Sequence, residues 1–75
     1  MYHAIRFTAE VDAHLEISPK KPPERIHIFN GTRLRAQVRP HVVETPDGPA
    51  EVADLFLEDG TATRLVPFAC FSFLD

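Results

Sequence analysis

Residues 51–75 read EVADLFLEDGTATRLVPFACFSFLD, and the register in which this stretch folds back on itself decides what kind of sheet the chain can build. The turn is Glu58-Asp59-Gly60. Residues paired in an antiparallel ladder point to the same face, so the loop must leave apolar residues opposite apolar ones. A two-residue Asp59-Gly60 loop would set Leu55 against Arg64 and Asp54 against Leu65. A three-residue loop with Gly60 in the left-handed region instead pairs Phe56 with Ala62, Asp54 with Arg64, Ala53 with Leu65 and Val52 with Val66. The second register is the expected one.

The arm after this turn is apolar on both faces: Thr63, Leu65, Ala69, Phe71 and Phe73 share one, while Val66, Phe68 and Cys70 share the other. Such a strand must be covered on both sides. Barrel curvature and an N-terminal hairpin could do this within one copy. The preferred reading is a homodimer with Val66, Phe68, Cys70, Phe71 and Phe73 at its interface.

Upstream, Thr45-Pro46-Asp47-Gly48-Pro49 is a strong turn signal, with proline setting one central dihedral and glycine free to take a positive one. A loop over residues 46–49 pairs Val43 with Val52, Val42 with Ala53, Pro40 with Leu55 and Val38 with Leu57, and sets His41 opposite Asp54. Asn30-Gly31 marks another turn between a strand at Arg25–Phe29 and a long one at Thr32–Val43, pairing Ile28 with Thr32 and Ile26 with Leu34. From Ile5 to Ile17 apolar and polar residues alternate without a break, a period of two. As one straight strand this would run about 43 Å at 3.3 Å per residue, too long for a globule of this size. A turn at Asp12-Ala13-His14 keeps the alternation and pairs Val11 with Leu15 and Ala9 with Ile17; a helix over residues 8–17 is the rival. Ser18-Pro19-Lys20-Lys21-Pro22-Pro23 reads as an extended, polyproline-like connector.

The expected fold is all-β: a small, strongly curved antiparallel meander or partly open barrel of the SH3-like or OB-like size class, about six strands in one domain over residues 1–75. Its core face would carry Leu34, Ala36, Val38, Val42, Ala53, Leu55, Leu57 and Leu65, joined by Ile5, Phe7, Ile26 and Ile28.

The other face is where a function would be written. It presents Arg33, Arg35, Arg39 and His41 on the long strand, with Arg25 and His27 beside them. Arginines at two-residue spacing stand about 7 Å apart, near the phosphate spacing of a nucleic-acid strand. Readers of single strands add two or three stacking aromatics, and only Phe56 could serve here. The formal net charge of −3 hides a division: residues 1–41 carry seven basic and four acidic residues, whereas residues 42–75 carry one basic and seven acidic. Such asymmetry steers partners.

Chemistry is thinly represented. Cys70 is the single cysteine, so neither an intrachain disulfide nor a zinc site built from cysteine pairs can form. Nothing local would activate it as a nucleophile. The four histidines have no metal-binding spacing, and no phosphate loop, catalytic signature or cofactor motif is present. No secretory signal or span of about 20 apolar residues is found, so a cytoplasmic, non-membrane protein is expected. The reading is a non-enzymatic interaction module without cofactor or metal, self-associating and binding a protein partner. A nucleic-acid-binding small barrel and a small-ligand binder are the alternatives.

Overall fold

The computed structural model describes all of residues 1–75. Seven strands form one curled half-barrel sheet: β1 (His3–Phe7), β2 (Val11–Glu16), β3 (Glu24–Ile28), β4 (Arg33–Thr45), β5 (Gly48–Leu57), β6 (Ala62–Pro67) and β7 (Phe71–Phe73). A three-residue 3₁₀ turn, Phe68–Cys70, joins β6 to β7. The strand order is β3-β2-β6-β5-β4-β1-β7 and every pairing is antiparallel. No helix is long and apolar enough to cross a membrane.

The alternating stretch Ile5–Ile17 is neither hairpin nor helix. The chain bends at Thr8–Glu10, so β1 and β2 belong to opposite regions of the sheet: β1 pairs with β4 and β7, and β2 with β3 and β6. The predicted Val11–Leu15 and Ala9–Ile17 pairs are therefore absent. Alternation survives the bend because Ile5, Phe7, Val11 and Ala13 all point into the core. The bend curls the sheet by making the two regions consecutive in the chain. Phe7 seals the closure, its N–H donating to Thr32 O at 2.8 Å and its carbonyl accepting from Gly31 N at 2.7 Å.

Asn30-Gly31 likewise does not close a hairpin. Strand β3 pairs with β2, placing Ile28 against Val11 and Ile26 against Ala13, so the expected Ile28–Thr32 and Ile26–Leu34 pairs do not form. The loop Ile17–Pro23 connects β2 to β3; it includes a turn in which Lys21 N–H reaches Ser18 O at 3.1 Å, so it is less extended than its prolines imply.

The β4–β5 hairpin forms two residues out of the expected register. Thr45 pairs with Gly48 around a Pro46-Asp47 turn, giving Val38↔Leu55, Arg39↔Asp54, Pro40↔Ala53 and His41↔Val52. Gly48, at φ 109°, opens the strand instead of closing the loop. Thr45 Oγ1 donates to Gly48 O at 2.6 Å and accepts from Asp47 N at 3.2 Å, fastening the tight turn. A shift of two leaves every side chain on its expected face.

The β5–β6 hairpin starts as expected, with Phe56 opposite Ala62 and Gly60 at φ 90° in the three-residue loop. Between Leu55↔Thr63 and Ala53↔Val66 lies a β-bulge, in which Arg64 and Leu65 together face Asp54. Beyond it Val52 meets Pro67, not Val66.

The inner face buries Ile5, Phe7, Val11, Ala13, Ile28, Ala36, Ala53, Leu55, Val66 and Phe71, with Ile26, Leu34, Val38, Leu57, Phe68 and Cys70 packed around them. Two expected core residues are exposed: Val42 lies on the part of the β4–β5 hairpin that projects past the barrel, and the bulge turns Leu65 outward. The C-terminal arm is two strands around a 3₁₀ turn, which lets Phe68, Phe71 and Phe73 pack mutually at centroid distances of 5.3 to 6.3 Å. Val66 and Phe71, expected at an interface between copies, are covered by the chain's own core.

Candidate functional site

The outer face of β4 displays Arg33, Arg35, Gln37, Arg39 and His41 by simple alternation, and what lies beside them follows from the register. On the β1 side, Arg6 stands directly across the ladder from Arg33, and Ala4 across from Arg35. On the β5 side, Gln37 faces Phe56 and Arg39 faces Asp54. Arg25 and His27 lie on β3, the far edge strand, separated from β4 by three intervening strands in the sheet order. The expected six-residue face is therefore two groups.

In the main group the arginines differ in what they meet. Arg35 pairs with Glu58 at 3.4 Å. Arg39 has its guanidinium carbon 5.5 Å from the Phe56 ring centre, and Arg64, arriving from β6, stands 5.2 Å from the same ring. A cation over an aromatic ring at this range is attracted by the ring quadrupole. Arg64 also pairs with Glu16 and reaches Asp54 at 3.2 Å. Arg6 and Arg33 make no ion pair at all, although they are direct cross-strand neighbours.

Asp54 is the polar hub beneath this face. Its Oδ1 accepts from Leu65 N–H at 3.1 Å and lies 3.2 Å from His41 Nε2, while Oδ2 accepts from Arg64 Nη1. Burial pushes its carboxyl up; the Leu65 N–H, His41 and Arg64 outweigh that and hold it below the ordinary aspartate value. The anticipated Asp54 contacts with His41 and Arg64 are both present, the first diagonal to the ladder and the second across the bulge.

In the β3 group, His27 is gripped from both ring nitrogens, Nδ1 at 2.9 Å from Asp12 and Nε2 at 2.7 Å from Glu10, with Phe29 edge-on at 4.7 Å. The hydrogen bonds to Asp12 and then to Glu10 hold its pKa above the usual 6.5, favouring the imidazolium. Arg25, opposite His14, makes no ion pair of its own.

The surface carries two shallow open depressions. One, about 210 Å³, lies between Ile17 and Pro19 of the β2–β3 loop and Phe56, Ala62 and Arg64. The other, about 230 Å³, is bordered by Pro40, His41, Val42, Glu51 and Phe68. Both are smaller than the roughly 300 to 1,000 Å³ of pockets that enclose a small molecule. The histidines are dispersed: His3 stands beside Asp75, His27 by Asp12 and Glu10, and His41 by Asp54. Cys70 is half-buried against the core; its carbonyl accepts from Thr8 N–H at 2.9 Å, and its thiol makes no hydrogen bond. Of the residues expected between copies, Phe68 and Cys70 are half-buried and Phe73 is 43% exposed at the β7 edge.

Arg6 is the site residue that sequence reasoning missed. Its place in the polar half of the Ile5–Ile17 alternation marked it as outward-facing, but only the β1–β4 pairing puts it beside Arg33. Compared with known protein families, curated proteins and solved structures, the chain matches none.

Proposed function

We propose that this chain is a non-enzymatic interaction module whose arginine-bearing outer face takes an acidic segment of a protein partner. The observation that carries the reading is the Arg6–Arg33 pair, set directly across the ladder with neither guanidinium neutralised. Like charges opposite one another destabilise a sheet, and an anionic partner relieves that repulsion. Arg35 and Arg39 continue the basic strip along β4, and Phe56, opposite Gln37, sets an apolar ring beside the stretch between them.

The test is fluorescence anisotropy with a labelled, extended Asp/Glu-rich peptide and a neutral control peptide at low and moderate salt. Expected is micromolar binding of the acidic peptide alone, weakened by salt and lost in the Arg6→Glu, Arg33→Glu double variant. Absence of binding at low salt removes the proposal.

A second reading, single-stranded nucleic acid, is favoured by the two guanidinium groups against Phe56, which pair cationic charge with a stacking ring. One half-buried aromatic and a net charge of −3 make it the weaker of the two. Labelled oligonucleotides that bind where the acidic peptide does not would put it first.

A further inference from the structure

Resting on the acidic-partner reading, we infer that the anchor of that partner is a phosphoryl monoester, held by Arg6, Arg33 and Ser72. These three residues form one row across β4, β1 and β7, because Arg6 pairs with Arg33 on one side and with Ser72 on the other. All three are exposed, and none of the three side chains has a hydrogen-bond or ion-pair partner within the chain. Strand β7 is an edge, so the row is open at its Ser72 end.

The neighbouring row shows why the chain's own carboxylates leave these arginines free. There Arg35 holds Glu58, and Ala4 contributes only a methyl group beside Arg6. At the β1 end, Asp75 has its carboxylate engaged by the Ala4 N–H at 3.0 Å and by His3 at 3.4 Å.

Donor count then selects the ligand. Directly opposed residues have Cβ atoms about 5 Å apart, so two guanidinium forks can converge on one group. Each fork presents a parallel pair of N–H donors, and Ser72 adds a hydroxyl. A carboxylate has two oxygens and one charge, enough to occupy one fork and leave the other cation unneutralised. A phosphodiester offers two free oxygens and one charge, the same shortfall. A phosphoryl monoester offers three oxygens and a charge of about −1.5 to −2, matching both forks and the hydroxyl. Recognition of phosphorylated segments by clustered arginines uses this chemistry.

The experiment compares two labelled peptides of identical acidic sequence, one carrying phosphoserine and the other glutamate at the central position, with inorganic phosphate as competitor. Expected is at least tenfold tighter binding of the phosphopeptide, on the order of one additional charge-assisted fork. Inorganic phosphate should displace it and shift the backbone amide resonances of Arg6, Arg33 and Ser72 in NMR spectra. The Arg6→Lys, Arg33→Lys variant keeps the charge but not the forks, and should collapse the phosphopeptide-to-glutamate ratio towards one. Equal affinity for the two peptides would overturn this inference while leaving the acidic-partner reading in place, whereas no binding of either would remove both. An oligonucleotide that outcompetes the phosphopeptide would overturn it in favour of a nucleic-acid ligand.

Discussion

Asp54 and Thr63 are the two polar residues that the fold buries, and they stand in opposite situations. Asp54 is satisfied by a backbone N–H, a histidine and an arginine. Removing it strands the Leu65 N–H at the bulge and one pairing of Arg64, so Asp54→Ala should cost about 2 to 3 kcal/mol in urea-monitored unfolding. The sign of its pH dependence follows from the depressed folded-state pKa. The stabilisation is complete above the unfolded aspartate value near 4 and is lost as pH falls through the lower folded value. A stability profile from pH 7 to pH 2 should therefore drop on its acid limb, and less steeply in Asp54→Ala. Asp12, Asp59 and Asp75, also held low by hydrogen bonds, keep a residual slope. Thr63, by contrast, has a hydroxyl with no partner in the protein. Thr63→Val replaces that hydroxyl by a methyl of similar size, and should raise stability by about 1 kcal/mol in the same measurement; a loss of that size would mean the hydroxyl is satisfied in solution.

Among the elements, the bulge in β6 has the largest consequences. Leu65 sits at φ 58°, the only non-glycine residue with a positive φ, and its side chain is 58% exposed. A branched residue in the left-handed region costs about 1 to 2 kcal/mol and here recovers little by burial. Leu65→Gly should therefore stabilise the protein by about 1 kcal/mol, read as a rise in the thermal midpoint; a fall would show that Leu65 packs against something in solution. The alternation of β5 and β6 gave no sign of the bulge, because one inserted residue is visible only as the outward turn of Leu65. The shift of two in β4–β5 was illegible for a different reason. Both registers place Val38, Pro40, Leu55 and Ala53 on one face, so hydrophobic pattern cannot separate them and the Pro46-Asp47-Gly48 dihedrals decide. By contrast, the three-residue Glu58-Asp59-Gly60 loop was legible in full, since its length changes parity.

For the whole molecule, coverage of the C-terminal arm sets the oligomeric expectation. The curl of the sheet buries Val66 and Phe71 and half-buries Phe68 and Cys70 within one copy. Of the large apolar side chains expected between copies, only Phe73 is exposed, next to Leu74 at the β7 edge. A stable dimer interface buries roughly 800 Å² per partner, so one built here would have to recruit apolar surface beyond this edge. Light scattering should accordingly give a mass near 8.5 kDa at micromolar concentration. A concentration-dependent doubling that Phe73→Ser abolishes would establish a dimer through this edge.

Residue order alone determined the all-β class, the inward and outward sets of nearly every strand, the β5–β6 turn and the outward row from Arg33 to His41. These are local properties, carried by a period of two and by turn chemistry within about ten residues. Tertiary structure alone decided that the alternating N-terminal run bends and serves two regions of the sheet, that β3 pairs backward to β2, and that Arg6 stands between Arg33 and Ser72. Pairing between strands distant in sequence depends on which closure buries the shared apolar face with the fewest unpaired backbone groups. Several closures satisfy the same alternation, so the choice among them, and the Arg33–Arg6–Ser72 row it creates, belongs to the folded chain.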